Sequence, residues 1–205
     1  MTPHFVNLFT QPLRAWDEIR DEERHNSLHY LGHLLLLALI PAFSLYVGTT
    51  EIGWSLARDE VVRLEPTSAL QLAIGLYLTS VIGVVLMGSF VRWMSRTFEV
   101  RPTLNQCVGF IAYVATPFFI AGLASLYPSR WLAILVLLLA CAYSTLLLYV
   151  GVPIFMRLKR EQSMLYATSI WAVGLLVLVT LLVSVILHWQ FYMTPEYQEI
   201  TRLGG

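Results

Sequence analysis

The sequence predicts an all-α membrane protein with five transmembrane helices and a short amphipathic N-terminal helix. Three observations carry this. The 205 residues are 57% hydrophobic but only 13% charged, about half the charge of a soluble domain, and mean hydropathy is +0.67. Five apolar segments reach or exceed the ~20 residues needed to cross a bilayer. Tyr and Trp cluster at their ends, as an interfacial aromatic belt requires: Tyr46, Trp54, Trp93, Tyr127, Trp131, Tyr166, Trp189 and Tyr192.

Residues 1–27 form a cytoplasmic amphipathic segment. Phe5, Leu8, Phe9, Leu13, Trp16 and Ile19 recur mostly three or four apart, the helical period. Thr10 can cap and Pro12 suits a first turn, so a helix is expected from about Gln11, with Trp16 as interfacial anchor and its apolar face packed on the protein's own spans. No cleavable secretory signal is visible, which leaves the first span to act as the targeting signal.

Residues 28–192 form the transmembrane domain. The first span runs from about Leu28 to Val47, with Pro41 as a kink; the second from Ala69 to Trp93; the third from Leu104 to Leu126; the fourth from Trp131 to Met156; the fifth from Met164 to Tyr192. Residues 193–205 form an external tail. Nine basic residues (Arg14, Arg20, Arg24, Arg92, Arg96, Arg101, Arg157, Lys159, Arg160) fall on the side of the N-terminus, and four (Arg58, Arg63, Arg130, Arg202) on the other. Positive charge stays inside, so the N-terminus is expected in the cytoplasm and the C-terminus in the periplasm. The net charge of zero implies no nucleic-acid partner. Cys107 and Cys141 fall at different depths, roughly 20 Å apart along the helix direction, too far for a disulfide.

The densest chemistry lies at Asp17–His33. Asp17, Glu18, Asp21, Glu22 and Glu23 precede His25, His29 and His33. On one continuous helix at ~100° per residue, Glu18, Asp21, Glu22 and the three histidines would fall within roughly 120° of one another. Imidazoles at i and i+4 can chelate zinc, copper or nickel. His25 and His33 are ~12 Å apart along such a helix, so a closed site needs two histidines, Glu22 and a ligand from elsewhere. The alternatives are a solvated face, a surface titrating with cytoplasmic pH, or a docking surface for a cytoplasmic protein.

Tyr113-Val114-x-x-Pro117-x-Phe119 recurs as Tyr149-Val150-x-x-Pro153-x-Phe155. Each proline frees a carbonyl one turn earlier, which needs a new partner in lipid. Tyr113, Thr116, Pro117, Tyr149 and Pro153 are therefore candidates for a paired structural joint, or, with Tyr77, for the wall of a small-molecule cavity. Gly75, Thr79 and Gly83 form a small-residue ridge suited to close helix packing or a dimer contact. No Asp, Glu, Lys or Arg lies mid-span, where ion-coupled transporters usually place one. His-Glu-x-x-His, a phosphate-cradling glycine loop and a protease-like Ser-His pair are all absent, so no enzyme and no cofactor is expected.

Leu8-Phe9-x-x-Pro12-x-x-x-Trp16-x-x-Ile19 resembles the N-terminal signature of bacterial Yip-family (Ypt/Rab-interacting-protein-like) membrane proteins. Tyr113-Val114-Ala115-Thr116-Pro117 and Tyr149-x-Gly151-x-Pro153 resemble the family's third and fourth spans. Gly48-Thr49-Thr50-Glu51-Ile52-Gly53-Trp54, Arg101-Pro102, Leu126-Tyr127-Pro128 and the histidine-rich start of the first span resemble its inner-membrane members. The resemblance implies a five-span protein of the bacterial inner membrane; eukaryotic relatives interact with Rab GTPases in vesicle trafficking. The expected function is non-enzymatic membrane organisation or partner binding by a homo-oligomer. The alternative is a transporter or channel for a small solute or divalent metal ion, entered past the histidines. A polar cavity walled by the tyrosines would favour transport, and a dry bundle would favour a scaffold.

Overall fold

The computed structural model describes residues 4–25, 28–57, 60–98, 101–127 and 129–192. The tail at 193–205 lies outside them. Two short helices open the chain, α1 (His4–Thr10) and α2 (Pro12–His25), and α3 (His29–Val47) follows. Pro12 begins α2, where its missing N–H costs nothing. A turn of π-helix (Gly48–Ile52) and a small antiparallel hairpin, β1 (Trp54–Ala57) and β2 (Glu60–Val62), lead to α4 (Pro66–Ser95). Among the described residues the hairpin is the one detail outside the helical plan; the stretch reads from sequence only as a linker.

The next apolar segment is in two pieces, α5 (Leu104–Val114) and α6 (Thr116–Ala121), bent by 41° and continued by a 3-10 turn to Leu126. Thr103 and Gln106 start α5 with a reciprocal cap: Gln106 N–H donates to Thr103 Oγ1 at 3.2 Å, and Thr103 N–H to Gln106 Oε1 at 2.8 Å. Helices α7 (Arg130–Met156) and α8 (Arg160–Tyr192) complete the bundle, with Arg157 turning the chain between them at a left-handed φ of 54°.

Among the described residues, four helices are long and apolar enough to cross a membrane, five if the bent pair is one span. Its contacts with α3 make it one. Tyr30 OH donates to Asn105 Oδ1 at 3.4 Å near the start of both. A Cβ on Gly122 would strike Pro41, and one on Gly48 would strike the Ser125 carbonyl at the far end. The pair thus runs parallel to α3 over its whole length. A re-entrant loop would return to its starting end.

The core sits where α2, α5 and α7 meet. Leu8, Ala15 and Trp16 are fully buried, and Ile19 nearly so. Trp16 lies tilted at 4.9 Å from Phe110 and meets Tyr113 and Phe155 edge-on at 6.5 and 6.0 Å. A Cβ on Gly151 would lie 2.5 Å from Trp16 Cε2; only glycine lets the indole reach the α7 backbone. The apolar face of α2 packs on the spans as expected. Trp16, however, is a core residue, because the aromatic pocket removes it wholly from the interface. Tyr166 is likewise buried, its hydroxyl donating to Val91 O at 2.7 Å. Trp93, Tyr127 and Trp131 are exposed and fit the belt; the side chains of Trp54, Trp189 and Tyr192 lie outside the described set. Both cysteines are free.

Candidate functional site

The Asp17–His33 stretch is not one helix. Helix α2 ends at His25 and α3 begins at His29, which separates the first histidine from the other two. Burying the Trp16 stripe against α5 and α7 commits α2 to a course of its own, so the common face expected of a continuous helix does not exist. His25, exposed, turns its Nδ1 to the Asp21 carbonyl at 2.9 Å.

His29 and His33 belong to a polar chain that runs inward. His29 Nε2 lies 3.3 Å from Glu22 Oε2, and Nδ1 lies 3.3 Å from the Tyr113 hydroxyl. With the imidazole neutral, Nε2–H donates to the carboxylate and Tyr113 O–H donates to Nδ1. The His33 ring lies 4.4 Å from that of Tyr113, and its Nε2 is 2.9 Å from Thr116 Oγ1. Thr116 in turn donates to Ala112 O at 3.4 Å, so its oxygen accepts from His33 Nε2–H.

This chain meets the broken span where the backbone lacks donors. Pro117 has no N–H for the Tyr113 carbonyl. Phe118 N–H bonds to Ala115 O at 3.0 Å, one residue short of a regular helix. Thr116 supplies a side-chain donor to the Ala112 carbonyl, and His33 holds that hydroxyl in place. Such substitutes are what a break in a membrane helix requires. Among the described residues, no three His, Cys, Asp or Glu side chains stand where they could hold a metal ion. His25, His29, His33 and Glu22 are therefore not gathered into one metal centre, and the imidazoles are engaged with protein groups instead.

Tyr113 and Tyr149 take different partners. Tyr149 O–H meets Thr168 Oγ1 on α8 at 2.8 Å, whereas Tyr113 faces α2 and α3. Pro117 sits at the break, but Pro153 lies inside an α7 that continues to Met156. The two halves of the sequence echo thus do different structural work. A cavity of about 390 Å³ lies among α4, α5, α6, α7 and α8, with Pro41 of α3 also on its largely apolar wall, and Tyr77, Tyr113 and Tyr149 are not among its lining residues. Of the small-residue ridge, Gly83 packs under Leu181, Thr79 lines the cavity, and Gly75 faces open space. The tightest crossing of α4 is at Gly88, where a Cβ would lie 2.6 Å from Val108 Cα.

Sequence reasoning missed several groups near this site. Arg20 donates to the Ile154 carbonyl at 3.0 Å, at the end of α7. Tyr143 O–H donates to Leu8 O at 2.9 Å, and Phe9 stacks on its ring at 4.9 Å, which ties α1 to α7. Glu23 points inward with Oε1 buried and unpaired; desolvation pushes its carboxyl up to about 7. One available signal was Gly151, a small residue on α7 able to receive a tryptophan.

These features define a multi-pass α-helical membrane protein with an N-terminal helix docked into its core. A Yip1 domain matches residues 6–181. The chain is 38% identical over 188 residues to the inner membrane protein YohC of Escherichia coli K12, covering 92% of this chain and 96% of that protein. The same figures hold for YohC of Escherichia coli O6:H1 strain CFT073. No solved structure matches. The chain belongs to the Yip1-domain family, and its relatives place it among multi-pass proteins of the bacterial inner membrane. Yip-family inner-membrane proteins are not known as catalytic enzymes.

Proposed function

We propose that the protein is a membrane-organising, partner-binding subunit of the inner membrane, working as a homo-oligomer. Its N-terminal segment, residues 1–27, faces the cytoplasm; the spans occupy 28–192, and the tail 193–205 is periplasmic. The observation that carries this reading is the character of the interior. Among the described residues, no Asp, Glu, Lys, Arg or His lines the cavity, and the polar chain from Glu22 reaches the Ala112 carbonyl. A route for a hydrated solute or metal ion needs polar walls to replace lost hydration. The exposed carboxylates of α2, Asp17, Glu18 and Asp21, supply the surface for a cytoplasmic protein partner.

The test has two arms. Purified protein in liposomes should give no zinc or small-solute flux above protein-free vesicles. A photo-crosslinking residue at Asp17 or Asp21 in intact cells should give a discrete adduct that disappears when Glu18 and the other position become amides. Flux, with no adduct, would reverse the reading. An active C-terminal phosphatase fusion beside a dark C-terminal fluorescent fusion is expected; the opposite pattern would overturn the orientation.

A further inference from the structure

The N-terminal helices reach deeper along the bundle than the membrane surface requires. Pro12 has no N–H, so the Leu8 carbonyl cannot receive the bond from four residues on. Tyr143 supplies a donor instead: its hydroxyl donates to Leu8 O at 2.9 Å. In water such a carbonyl would be hydrated, whereas in lipid it needs a donor from the protein. Phe9 stacks on the same tyrosine ring at 4.9 Å and nearly parallel, 8° between planes.

Tyr143 gives the depth of this contact. It stands thirteen residues past Arg130 and thirteen before Met156, roughly 20 Å from either end of α7 at ~1.5 Å per residue. A hydrocarbon core of ~30 Å has Tyr143 near its middle, and one side chain is too short to carry its hydroxyl out to the head groups. From there α2 climbs outward along α7: Trp16 lies against Gly151, and Arg20 donates to Ile154 O. Asn7 donates to Glu18 Oε2 at 3.1 Å, although a straight helix would set them ~16 Å apart, so α1 folds back beside α2. At the fold, Phe9 and Leu13 are 42% and 62% exposed, at a depth where acyl chains surround the protein. The far half of the bundle has no matching feature. The fully buried large side chains Trp16, Leu34, Val91, Phe110, Leu147 and Tyr166 lie in the half nearest α2. In the other half α7 presents Leu135, Leu138 and Leu139 to lipid, with no counterpart of α1 and α2 against it among the described residues.

We propose that the α1–α2 hairpin is a one-leaflet wedge, seated among acyl chains through Phe9 and Leu13, that sorts the protein to membrane curved convex on the α2 side. An element ~10–12 Å across displaces lipid from that leaflet alone, and the leaflet with the larger area takes the outside of a bend. Helices seated at this level bind membranes in a curvature-sensitive way. The carboxylates of Asp17, Glu18 and Asp21 are exposed further along α2, towards its outer end. The wedge is independent of the partner surface that they form, and its failure would leave that reading intact.

The test uses the full-length protein in giant vesicles of phosphatidylethanolamine and phosphatidylglycerol, from which narrow membrane tethers are pulled outward. A short tag at one terminus or the other is stained with an impermeant dye, so that only copies with that terminus outside are seen. Copies stained at the N-terminus should be enriched in the tether at least twofold over copies stained at the C-terminus, both measured against a lipid dye. Equal partition of the two populations, or the reverse order, would overturn the proposal in the unaltered protein, which needs no variant to fold. The double variant Phe9→Ser/Leu13→Ser changes side chains that face outward and should lose at least half of the enrichment. Undiminished enrichment in that variant would also overturn the proposal, because the hairpin would then not be its source.

Discussion

Replacing Trp16 with alanine should release α2 from the bundle without unfolding the spans. The indole is fully buried against Phe110, Tyr113, Phe155 and Gly151. Burying an aromatic ring of ~150–250 Å² at ~25 cal/mol per Å² contributes about 4–6 kcal/mol. Two effects reduce this. The undocked indole would be well accommodated at the membrane interface, and the buried Nε1 has no partner, a penalty of about 1–3 kcal/mol that truncation removes. A net loss of about 2–4 kcal/mol remains, roughly a 30- to 700-fold shift in the docking equilibrium at ~1.4 kcal/mol per tenfold. Hydrogen exchange in nanodiscs reads this directly: amides of α2 should lose protection by that factor while those of α5 and α7 hold theirs. Gly151→Ala should have a similar effect of about 1–3 kcal/mol by overpacking. In the double variant the added methyl occupies vacated space, so the two effects should not add. Unchanged α2 protection in Trp16→Ala, or equal loss throughout the bundle, would refute the reasoning.

Thr116→Val should lower the thermal midpoint in detergent, by about 1–3 kcal/mol of stability, because it strands the Ala112 carbonyl and the His33 nitrogen. His33→Leu should cost no more than this. Pro117→Ala restores a backbone donor for Tyr113 O and should straighten the 41° bend, read as a longer spin-label distance across Ala115; Pro153→Ala should leave the path of α7 unchanged. Glu23 has its carboxyl raised from 4.5 to about 7 by burial, so the folded state holds a proton that the unfolded chain has already released. Its contribution is therefore most favourable below about 4.5, declines as pH rises towards about 7, and is flat above. Thermal midpoints at pH 5, 6, 7 and 8 should show a decline that Glu23→Gln reduces.

The spans were legible because hydropathy is a one-dimensional property. The expected Leu28–Val47 and Trp131–Met156 correspond to α3 at His29–Val47 and α7 at Arg130–Met156. Pro117 stands at the break between α5 and α6, where its missing N–H is a local fact. Its match at Pro153 stands inside a continuous α7, because whether a proline breaks a helix depends on what holds the segments beyond it. The histidines show the same limit. Their spacing suggests one face only if a single helix carries them, and Trp16 burial sets α2 and α3 apart. Among the glycines, spacing singled out Gly75 and Gly83, yet Gly75 faces open space, and close approaches to backbone or ring atoms occur at Gly48, Gly88, Gly122 and Gly151; a small residue declares its role only through the atom opposite.

The amino-acid sequence by itself determined a membrane bundle, its span boundaries, an amphipathic leader with Trp16 on the apolar face, and a family signature across most of the chain. These follow from composition and periodicity, which the bilayer reads segment by segment. Tertiary structure alone decided that Trp16 sits in the core, that His33 serves a broken helix through Thr116, that the tyrosines part company, and that the Ser144 hydroxyl is buried without a hydrogen-bond partner. Each depends on which residues from distant segments meet, and packing settles that only when all the helices are in place.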